Sequence, residues 1–387
     1  MSSRLVFVNN SRETFTPTHS GAIATCIRSV SERALLDGVR PTIITRAHSS
    51  VSQTVPWGST VVLPAIPPPR SGLAGNVDRA GRRLTGWARP DQRSYAKEVA
   101  RVLQGEALDS VVLSNDPELA VYLRRRFPTV RVVHWFHNLE VSSDRFRRMY
   151  AADSGIISMA VSAYLARAVE QVYRLTPGRV QVNLNGVDVA RFVGAERPER
   201  VPVIGFVGRI AVEKGVDVLL DAATLISDRG IAFSLQVTGD TNWGERHGNS
   251  YLDSIEARIT SLRARGVTVN TLGHVTHAEL PAALAASDIH VLPSRWDEPC
   301  ALALLEGMAS GQPVVASATG GSPEILAGSG ALFSREDPCA LAGDLERLLR
   351  DPGLRRRRGV DALVRARELT WQATWQRLDA LLKGNSR

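Results

Sequence analysis

Two positively charged residues in the second half of the chain have the spacing expected of a phosphate-binding loop. Arg209 and Lys214 follow the segment Gly205–Gly208, which ends an apolar run and leads into a helical pattern. Glycine lets a backbone approach a ligand closely, and a helix N-terminus attracts anions. Two cations there could compensate a diphosphate, and Lys214 is one of only three lysines in this arginine-rich chain. A solvated charged turn is the alternative interpretation.

Two acidic residues follow further along, with seven residues between them. Glu298 comes just after an apolar run, and Glu306 lies inside an otherwise apolar helical stretch. A buried acid needs a partner, and a ribose diol is a fitting one because one carboxylate can accept from both hydroxyls. Pro299 fits just before or inside the first helical turn, which predicts that the N–H groups of Cys300, Ala301 and Leu302 point beyond the strand. A capping acid and a structurally paired acid are the alternative.

Three further segments have polar or glycine residues at predicted strand ends. The pair Gly320-Gly321 begins a helix and predicts a loop that lines the same side of its sheet. In the first half, Gly21 precedes a predicted helix and could present amides to a phosphate. His134, His137 and Asn138 close a strand, and His137 and Asn138 are the better site candidates, although a lone histidine is more often structural.

The elements that must position these residues alternate between apolar strands and amphipathic helices along the whole chain. The patterns predict, for example, a helix near Ser94 to Leu103 and strands over Leu5–Val8, Val61 to Ile66 and Val203–Val207. This alternation predicts an α/β fold with two doubly wound, Rossmann-like parallel-sheet domains that face each other across a cleft. We expect an N-terminal domain over residues 1–190 and a nucleotide-sugar-binding domain over 200–368. The helix 371–387 is expected to pack back on the first domain, and Pro67 to Arg93 is expected to form a long loop.

Together these segments resemble the group-1 (family 4) retaining glycosyltransferases with the GT-B fold. The resemblance covers almost the whole chain, and its most specific part is the order of GxxGRxxxxKG and the spaced acids. It implies a sugar moving from a nucleotide diphosphate sugar to an acceptor hydroxyl with retention and without a metal. It also implies residue roles: Arg209 and Lys214 clamp the diphosphate, Glu306 binds the ribose, Glu298 contacts the sugar, Gly21 approaches the diphosphate, and His137 lies near the sugar and the acceptor.

Two departures from the family pattern concern the loop that approaches the diphosphate and the space beside the donor sugar. The family's first loop has a double glycine where this chain has Gly21-Ala22, and the family's Pro-Phe-Gly-Leu is replaced by Pro299-Cys300-Ala301-Leu302. Ala301 narrows the space near the donor sugar but keeps its amide. We therefore expect an altered choice of sugar rather than a loss of activity.

Bulk composition narrows the other possibilities. The 387 residues carry a net charge of +8, have three cysteines without a pairing or metal pattern, and contain no apolar run long enough to span a bilayer. These features predict a cytoplasmic protein, with the inner face of the cell membrane kept open. The family resemblance implies that no cofactor is needed. The partners expected are a UDP-, GDP- or dTDP-linked donor and a small-molecule, lipid-linked or glycan acceptor, with peripheral membrane contact kept open and no nucleic acid.

Two other functions compete with the transferase. A sugar-nucleotide epimerase on the same fold would need no acceptor. A non-catalytic binder of membranes or nucleic acid is suggested by the basic runs Arg124-Arg125-Arg126 and Arg145, Arg147 and Arg148, which on predicted helices are more often solvated faces.

Overall fold

The structure is a computed structural model that describes residues 4–11, 13, 15, 21–46, 54–55, 58–64, 90–105, 108–192, 200–240 and 250–384. It divides into two compact units. The first comprises Met1–Asn185 and Trp371–Arg387, and the second comprises Gly186–Thr370. Within the described ranges, no helix is both long and apolar enough to cross a membrane.

The first unit is built on one sheet, and the strands at the centre of this sheet are buried. Its strands are β1 (Leu5–Val8), β2 (Thr42–Arg46), β3 (Thr54–Val55), β4 (Gly58–Leu63), β5 (Ser110–Ser114), β6 (Arg131–Phe136), β7 (Ile156–Ala160) and β8 (Val180–Val182). They lie in the order β3-β4-β2-β1-β5-β6-β7-β8, and only β3 pairs antiparallel. The chain reverses its direction of travel across the sheet between β1 and β5, which is where doubly wound sheets bind ligands.

The helices of this unit connect the parallel strands. They are α1 (Ala22–Leu36), α2 (Pro90–Gln104), α3 (Pro117–Arg126), α4 (Asp144–Ala152) and α5 (Ala163–Tyr173). Short polar side chains start three of them: Asp116, Ser143 and Ser162 each accept a hydrogen bond from a first-turn amide. The local sequence therefore fixes where α3, α4 and α5 begin.

The second unit has an entirely parallel six-stranded sheet. Its strands are β9 (Val203–Val207), β10 (Ser234–Thr238), β11 (Thr268–Gly273), β12 (Ile289–Leu292), β13 (Val314–Ser317) and β14 (Ala331–Phe333), in the order β11-β10-β9-β12-β13-β14. Here the chain reverses between β9 and β12, whose registers pair Ile289 with Ile204 and His290 with Gly205. The crevice beyond the carboxyl ends of β9 and β12 is thus the expected ligand position of this sheet.

The helices of the second unit cover its sheet and are followed by the C-terminal helix. They are α6 (Val216–Asp228), α7 (Ser250–Ala264), α8 (Leu280–Ala285), α9 (Leu302–Ala309), α10 (Ser322–Leu326), α11 (Pro338–Arg350) and α12 (Pro352–Glu368), and α13 (Trp371–Lys383) follows. The core of the unit is aliphatic, with Leu219, Leu235 and Val291 fully buried. Such burial on both faces explains the continuous apolar strands.

Helix α13 packs within the first unit. The Trp375 indole N–H donates to Asp37 Oδ2 at 2.7 Å, and Thr374 Oγ1 donates to the Leu184 carbonyl at 2.8 Å. The Arg131 guanidinium donates to the Leu381 and Leu382 carbonyls at the end of the same helix. Trp371 and Trp375, four residues apart, are both buried.

Several predicted elements differ from the observed ones. The strand predicted over Val61 to Ile66 spans Gly58–Leu63, because the pairing with β2 ends at Leu63. Helix α2 begins at Pro90 rather than Ser94, since proline is well tolerated in a first helical turn. The predicted loop from Pro67 to Arg93 therefore loses residues 90–93 to α2, and its remainder lies outside the described residues.

Candidate functional site

The candidate residues of the second unit lie at its switch point. Arg209 and Lys214 follow β9, and Glu298 follows β12, so both segments lie beyond the carboxyl ends of the two strands between which the chain reverses. The GxxGRxxxxKG segment and the first of the spaced acids are therefore neighbours in space, although 84 residues separate Lys214 from Glu298.

Lys214 and Glu298 form an ion pair. The Lys214 ammonium donates to Glu298 Oε1, and the Ser294 hydroxyl donates to the same oxygen at 2.9 Å. The Glu298 side chain is only 8% exposed and that of Lys214 is 20% exposed. A carboxylate removed from water in this way needs a cation and a hydrogen bond, and the pair supplies both. The positive charge of Lys214, which the sequence assigns to a diphosphate, is thus paired with the Glu298 carboxylate in this structure.

Arg209 differs from Lys214 in its exposure. Its guanidinium contacts Glu213 Oε1, four residues along the chain, at 2.9 Å, and about half of each side chain is exposed. An exposed pair of this kind contributes little to stability and exchanges partners easily. Arg209 is therefore the more readily rearranged of the two predicted diphosphate ligands.

A second ion pair, which the sequence does not reveal, ties the two loops together. The Arg295 guanidinium donates to both carboxylate oxygens of Asp217 at 2.7 Å, and the Arg295 backbone N–H donates to the Glu213 carbonyl at 2.9 Å. Burial tends to raise the pKa of Asp217, but the hydrogen bonds from Arg295 and Tyr251 and the charge of Arg295 leave that pKa below its ordinary value. Spacing could not reveal this pair, because 78 residues separate its members.

Glycines allow the loops to approach one another. Gly215 has φ +65°, and a Cβ there would lie 2.0 Å from the Pro293 carbonyl oxygen, so a larger residue could not keep this contact. Gly320 has φ +53°, and a Cβ there would lie 2.3 Å from the Glu298 carbonyl oxygen, to which Gly321 N–H donates at 2.7 Å. The Gly320-Gly321 loop thus holds the backbone of Glu298.

Helix α9 begins later than the sequence predicts. It starts at Leu302, so Pro299 and Cys300 precede it and Ala301 occupies the cap position without a side-chain cap. Cys300 and Ala301 are buried in the loop between Glu298 and the helix, whereas Leu302, which is partly buried, is the first residue of the helix.

Glu306 lies inside α9, as its sequence position predicts, and is partly buried. Burial raises the pKa of Glu306 to about 7, although the positive charge of Arg191 acts in the opposite direction. Arg191 lies on the short 3₁₀ turn Val189–Phe192 and donates to His277. No hydrogen-bond partner of the Glu306 carboxylate occurs among the residues that the structure describes, so this acid has capacity to accept from a ligand.

In the first unit, the helix start at Gly21 is occupied by an acid of the same chain. Glu13 Oε1 accepts from the Ile23 and Ala24 amides at 3.0 and 3.3 Å, and a Cβ on Gly21 would overlap the Glu13 carboxylate. Burial raises the pKa of Glu13 to about 7, even though these two amides lower it. The amides that the sequence assigns to a phosphate are thus bonded to a carboxylate here.

His137 follows β6 and is held through its backbone. The Asn115 side-chain oxygen accepts from the amides of His137 at 2.7 Å and Asn138 at 3.1 Å, and Asn115 itself has φ +50°. The His137 ring packs against Trp135, is 7% exposed, and its Nε2 has no partner among the described residues. Burial lowers the pKa of His137 to about 3, so its ring is neutral at pH 7. Sequence patterns did not identify Asn115 as a site residue, because its role depends on its backbone conformation.

His134 lies in the core rather than at the acceptor side. It is fully buried, its Nδ1 lies 3.0 Å from the Tyr150 hydroxyl, and its ring packs against Phe136. Burial lowers its pKa to about 3, with a further contribution from His137. The two rings have different neighbours, since His134 packs against Phe136 and Tyr150 and His137 packs against Trp135. His134 is therefore a buried core residue whose Nδ1 faces the Tyr150 hydroxyl.

Comparisons with known proteins agree with the motifs of the second unit. Residues 201–351 match the family model described as Glycosyl transferases group 1, which confirms the resemblance over that range. The D-inositol 3-phosphate glycosyltransferase of Salinispora tropica is 36% identical over 221 residues, which are 52% of this chain and 45% of that protein. The chain spans about half the length of the first curated relatives that it matches.

Solved structures agree over the whole chain. A glycosyltransferase from Rickettsia africae superposes with a TM-score of 0.78 at 17% identity, covering 100% of this chain and 99% of that one. Anabaena HepE, solved in complex with UDP-glucose, superposes with a TM-score of 0.70 at 17% identity over 98% and 99% of the two chains. The predicted fold class of two Rossmann-like parallel-sheet domains, the GT-B architecture, is therefore confirmed.

Proposed function

Residues 201–351 of this chain belong to the group 1 glycosyl transferases, and from this premise we propose that the protein transfers a hexose-like sugar from a nucleoside diphosphate sugar to an acceptor hydroxyl. The observation that carries the proposal is the Lys214–Glu298 pair at the switch point between β9 and β12. A cation and an acid held there, beside the exposed Arg209, match the needs of a donor with a diphosphate and a sugar.

The proposed chemistry depends on charge that grows on the leaving diphosphate. Lys214 and Arg209 stabilise this charge by exchanging their carboxylate partners for phosphate oxygens, which is the largest type of catalytic contribution. Glu298, released from Lys214, accepts from hydroxyls of the donor sugar, and Glu306 accepts from the ribose. His137, neutral at pH 7, offers Nε2 to the sugar or the acceptor. The sugar is transferred with retention, without a metal.

A solved relative suggests which donor to test first. HepE binds UDP-glucose and superposes over nearly the whole chain, so a UDP-linked donor is the first of the three to test, before GDP- and dTDP-linked sugars. The acceptor is a small molecule, a lipid-linked sugar or a glycan, and peripheral membrane contact belongs to the lipid-linked case.

The first experiment is thermal unfolding with a panel of nucleoside diphosphates and nucleotide sugars in buffer without metal. A ligand at about 100 times its dissociation constant should add about 2.7 kcal/mol to the free energy of unfolding. A selective increase for one nucleotide, lost in Lys214→Ala and kept in Lys97→Ala, is the expected result. Lys97 is exposed on α2 and matches the charge removed.

Two results would contradict the proposal. No increase with any nucleotide would argue for a protein that keeps the fold without the donor site. Conversion of the donor to another nucleotide sugar in the absence of an acceptor would identify an epimerase. Retention is tested separately, by the anomeric configuration of the isolated product.

A further inference from the structure

A groove between α3 and α4 gathers arginines that are far apart in the sequence. It has a volume of about 600 Å³ and is lined by Arg124, Arg125, Arg145, Arg148, Met149 and Asp153. A smaller groove of about 360 Å³ shares several of these residues and adds Arg126 and the apolar surface of Tyr122 and Phe146. We call the two together the arginine groove. The two basic runs that the sequence shows separately therefore form one surface.

The charge of the arginine groove is only partly compensated. Asp153 contacts Arg124 at 3.5 Å, but in the described ranges no carboxylate pairs with Arg125 or Arg148. In the arginine run Arg355–Arg358 on α12, by comparison, Arg357 pairs with Asp351 and Arg358 pairs with Asp361. Bringing like charges together costs free energy unless anions compensate them, so the groove favours an anion near Arg125 and Arg148.

Helix capping does not explain the cluster. Arg124, Arg125 and Arg126 end α3, where the helix dipole favours cations. Arg145, in contrast, lies in the first turn of α4, where the dipole disfavours a cation, and Arg148 follows in the middle of that helix. The helix dipole of α4 therefore does not account for the position of Arg145.

The arginine groove is separate from the residues of the proposed reaction. Arg126 ends the helix before the short loop into β6, and Gly155 comes directly before β7, so both lie near the amino ends of these strands. His137, in contrast, follows the carboxyl end of β6. The six residues of β6 span about 20 Å. A ligand in the groove would thus lie near the amino ends of the strands, whereas His137 lies beyond their carboxyl ends.

We propose that the arginine groove is a second binding site of the protein, for phosphate groups. Guanidinium forks match phosphate oxygens in geometry and charge, which distinguishes phosphate from a single carboxylate. The phosphate comes from an anionic lipid headgroup or from a free phosphorylated molecule. The partly exposed apolar surface of Tyr122 and Met149 beside the arginines fits a headgroup next to acyl chains.

The test compares two charge-matched double variants of the full chain. Arg125→Gln/Arg148→Gln changes the groove, and Arg356→Gln/Arg367→Gln removes two exposed arginines of α12 that have no ion pair among the described residues. Both are measured by flotation with phosphatidylcholine vesicles with and without phosphatidylglycerol, and by calorimetry with pyrophosphate. Each arginine near an anionic surface contributes about 1 kcal/mol, so the groove variant should bind phosphatidylglycerol vesicles about thirtyfold more weakly.

The pattern of losses identifies the source of the phosphate. Selective loss of vesicle binding in the groove variant indicates a lipid headgroup, and selective loss of pyrophosphate binding indicates a free phosphate. Equal losses in both double variants, or no binding of either probe by the unaltered protein, would overturn the proposal. The thermal shift with nucleotides should persist in the groove variant, so that failure of this site is distinguishable from failure of the donor site.

Discussion

Six strands of the first sheet, β4-β2-β1-β5-β6-β7, follow the same order as the six strands of the second sheet. The two units differ in the polar residues at their switch points. In the first sheet the chain runs through β1, β2 and β4 and returns to β5; in the second it runs through β9, β10 and β11 and returns to β12. Beyond β9 and β12 lie charged pairs, Lys214–Glu298 and Asp217–Arg295. Beyond β5 and β6 lie Asn115 and a neutral His137.

This difference indicates that topology selects the place of a site and that the loops select its chemistry. The second unit has cations suited to a diphosphate. The candidates of the first unit, Asn115 and His137, are neutral hydrogen-bonding groups suited to hydroxyls. The carboxylate of Glu13 is already bonded to the amides at the start of α1. We expect substitutions in the second unit to affect the donor and those in the first to affect positioning.

The largest effect is expected at Lys214. In Lys214→Ala, kcat/KM for sugar transfer should fall about a hundredfold, or about 3 kcal/mol, because the leaving diphosphate loses a cation. Steady-state kinetics with saturating acceptor measure this fall, with Lys97→Ala as the control. If a folded Lys214→Ala variant turned over substrate almost as fast as the unaltered protein, the proposal that the charged residues of the second unit stabilise the diphosphate would be contradicted.

At the first switch point, Asn115→Ala should lower the free energy of unfolding by about 2 kcal/mol. The substitution removes the acceptor of two amides and places alanine at φ +50°. Urea unfolding measures the change. Asn115→Gly separates the two causes, because glycine tolerates this φ but cannot accept the hydrogen bonds. If the glycine variant is as stable as the unaltered protein, the hydrogen bonds to His137 and Asn138 contribute little.

Acid should destabilise the first unit more than the second. Burial lowers the pKa of His134 and His137 to about 3 and that of His290, in the second unit, to about 4. Below the ordinary value near 6.5 the unfolded chain binds more protons than the folded one, so stability falls with falling pH by about 1.4 kcal/mol per pH unit for each histidine.

Urea unfolding between about pH 7 and about pH 5 tests this difference. The variant His134→Gln/His137→Gln should remove about twice as much of the pH dependence as His290→Gln removes. An equal reduction in the two variants would contradict the buried, neutral state of the first unit's pair.

The smallest effect is expected at Asp217. Asp217→Asn should lower the free energy of unfolding at pH 7 by about 1 kcal/mol, since the pair with Arg295 is partly exposed and solvent screens it. The folded pKa of Asp217 is lowered, so its contribution is present above the ordinary value of 3.8 and is lost as pH falls below it. Asp221→Asn, one turn along α6 in the more exposed pair with Arg258, is the control and should change little.

Much of the fold was predictable because its patterns are local. Strands such as Leu5–Val8 and Val203–Val207 agree with the structure at both ends, since continuous apolar runs are typical of buried parallel strands. Helix α12 was missed because its buried positions are small residues, Gly359, Ala362 and Ala366, which leave no apolar stripe. Gly359 packs against the Gly311 carbonyl, a contact that no periodicity indicates.

The sequence by itself determined the two parallel sheets, the loops that carry the charged residues and the identity of the candidate groups, because each depends on residues close together in the chain. Only the tertiary structure decided which groups meet: Lys214 with Glu298, Asp217 with Arg295, Glu13 with the start of α1, and the two arginine runs in one groove. The physical reason is that ion pairing and burial depend on distance in space, which strand order sets and sequence separation does not.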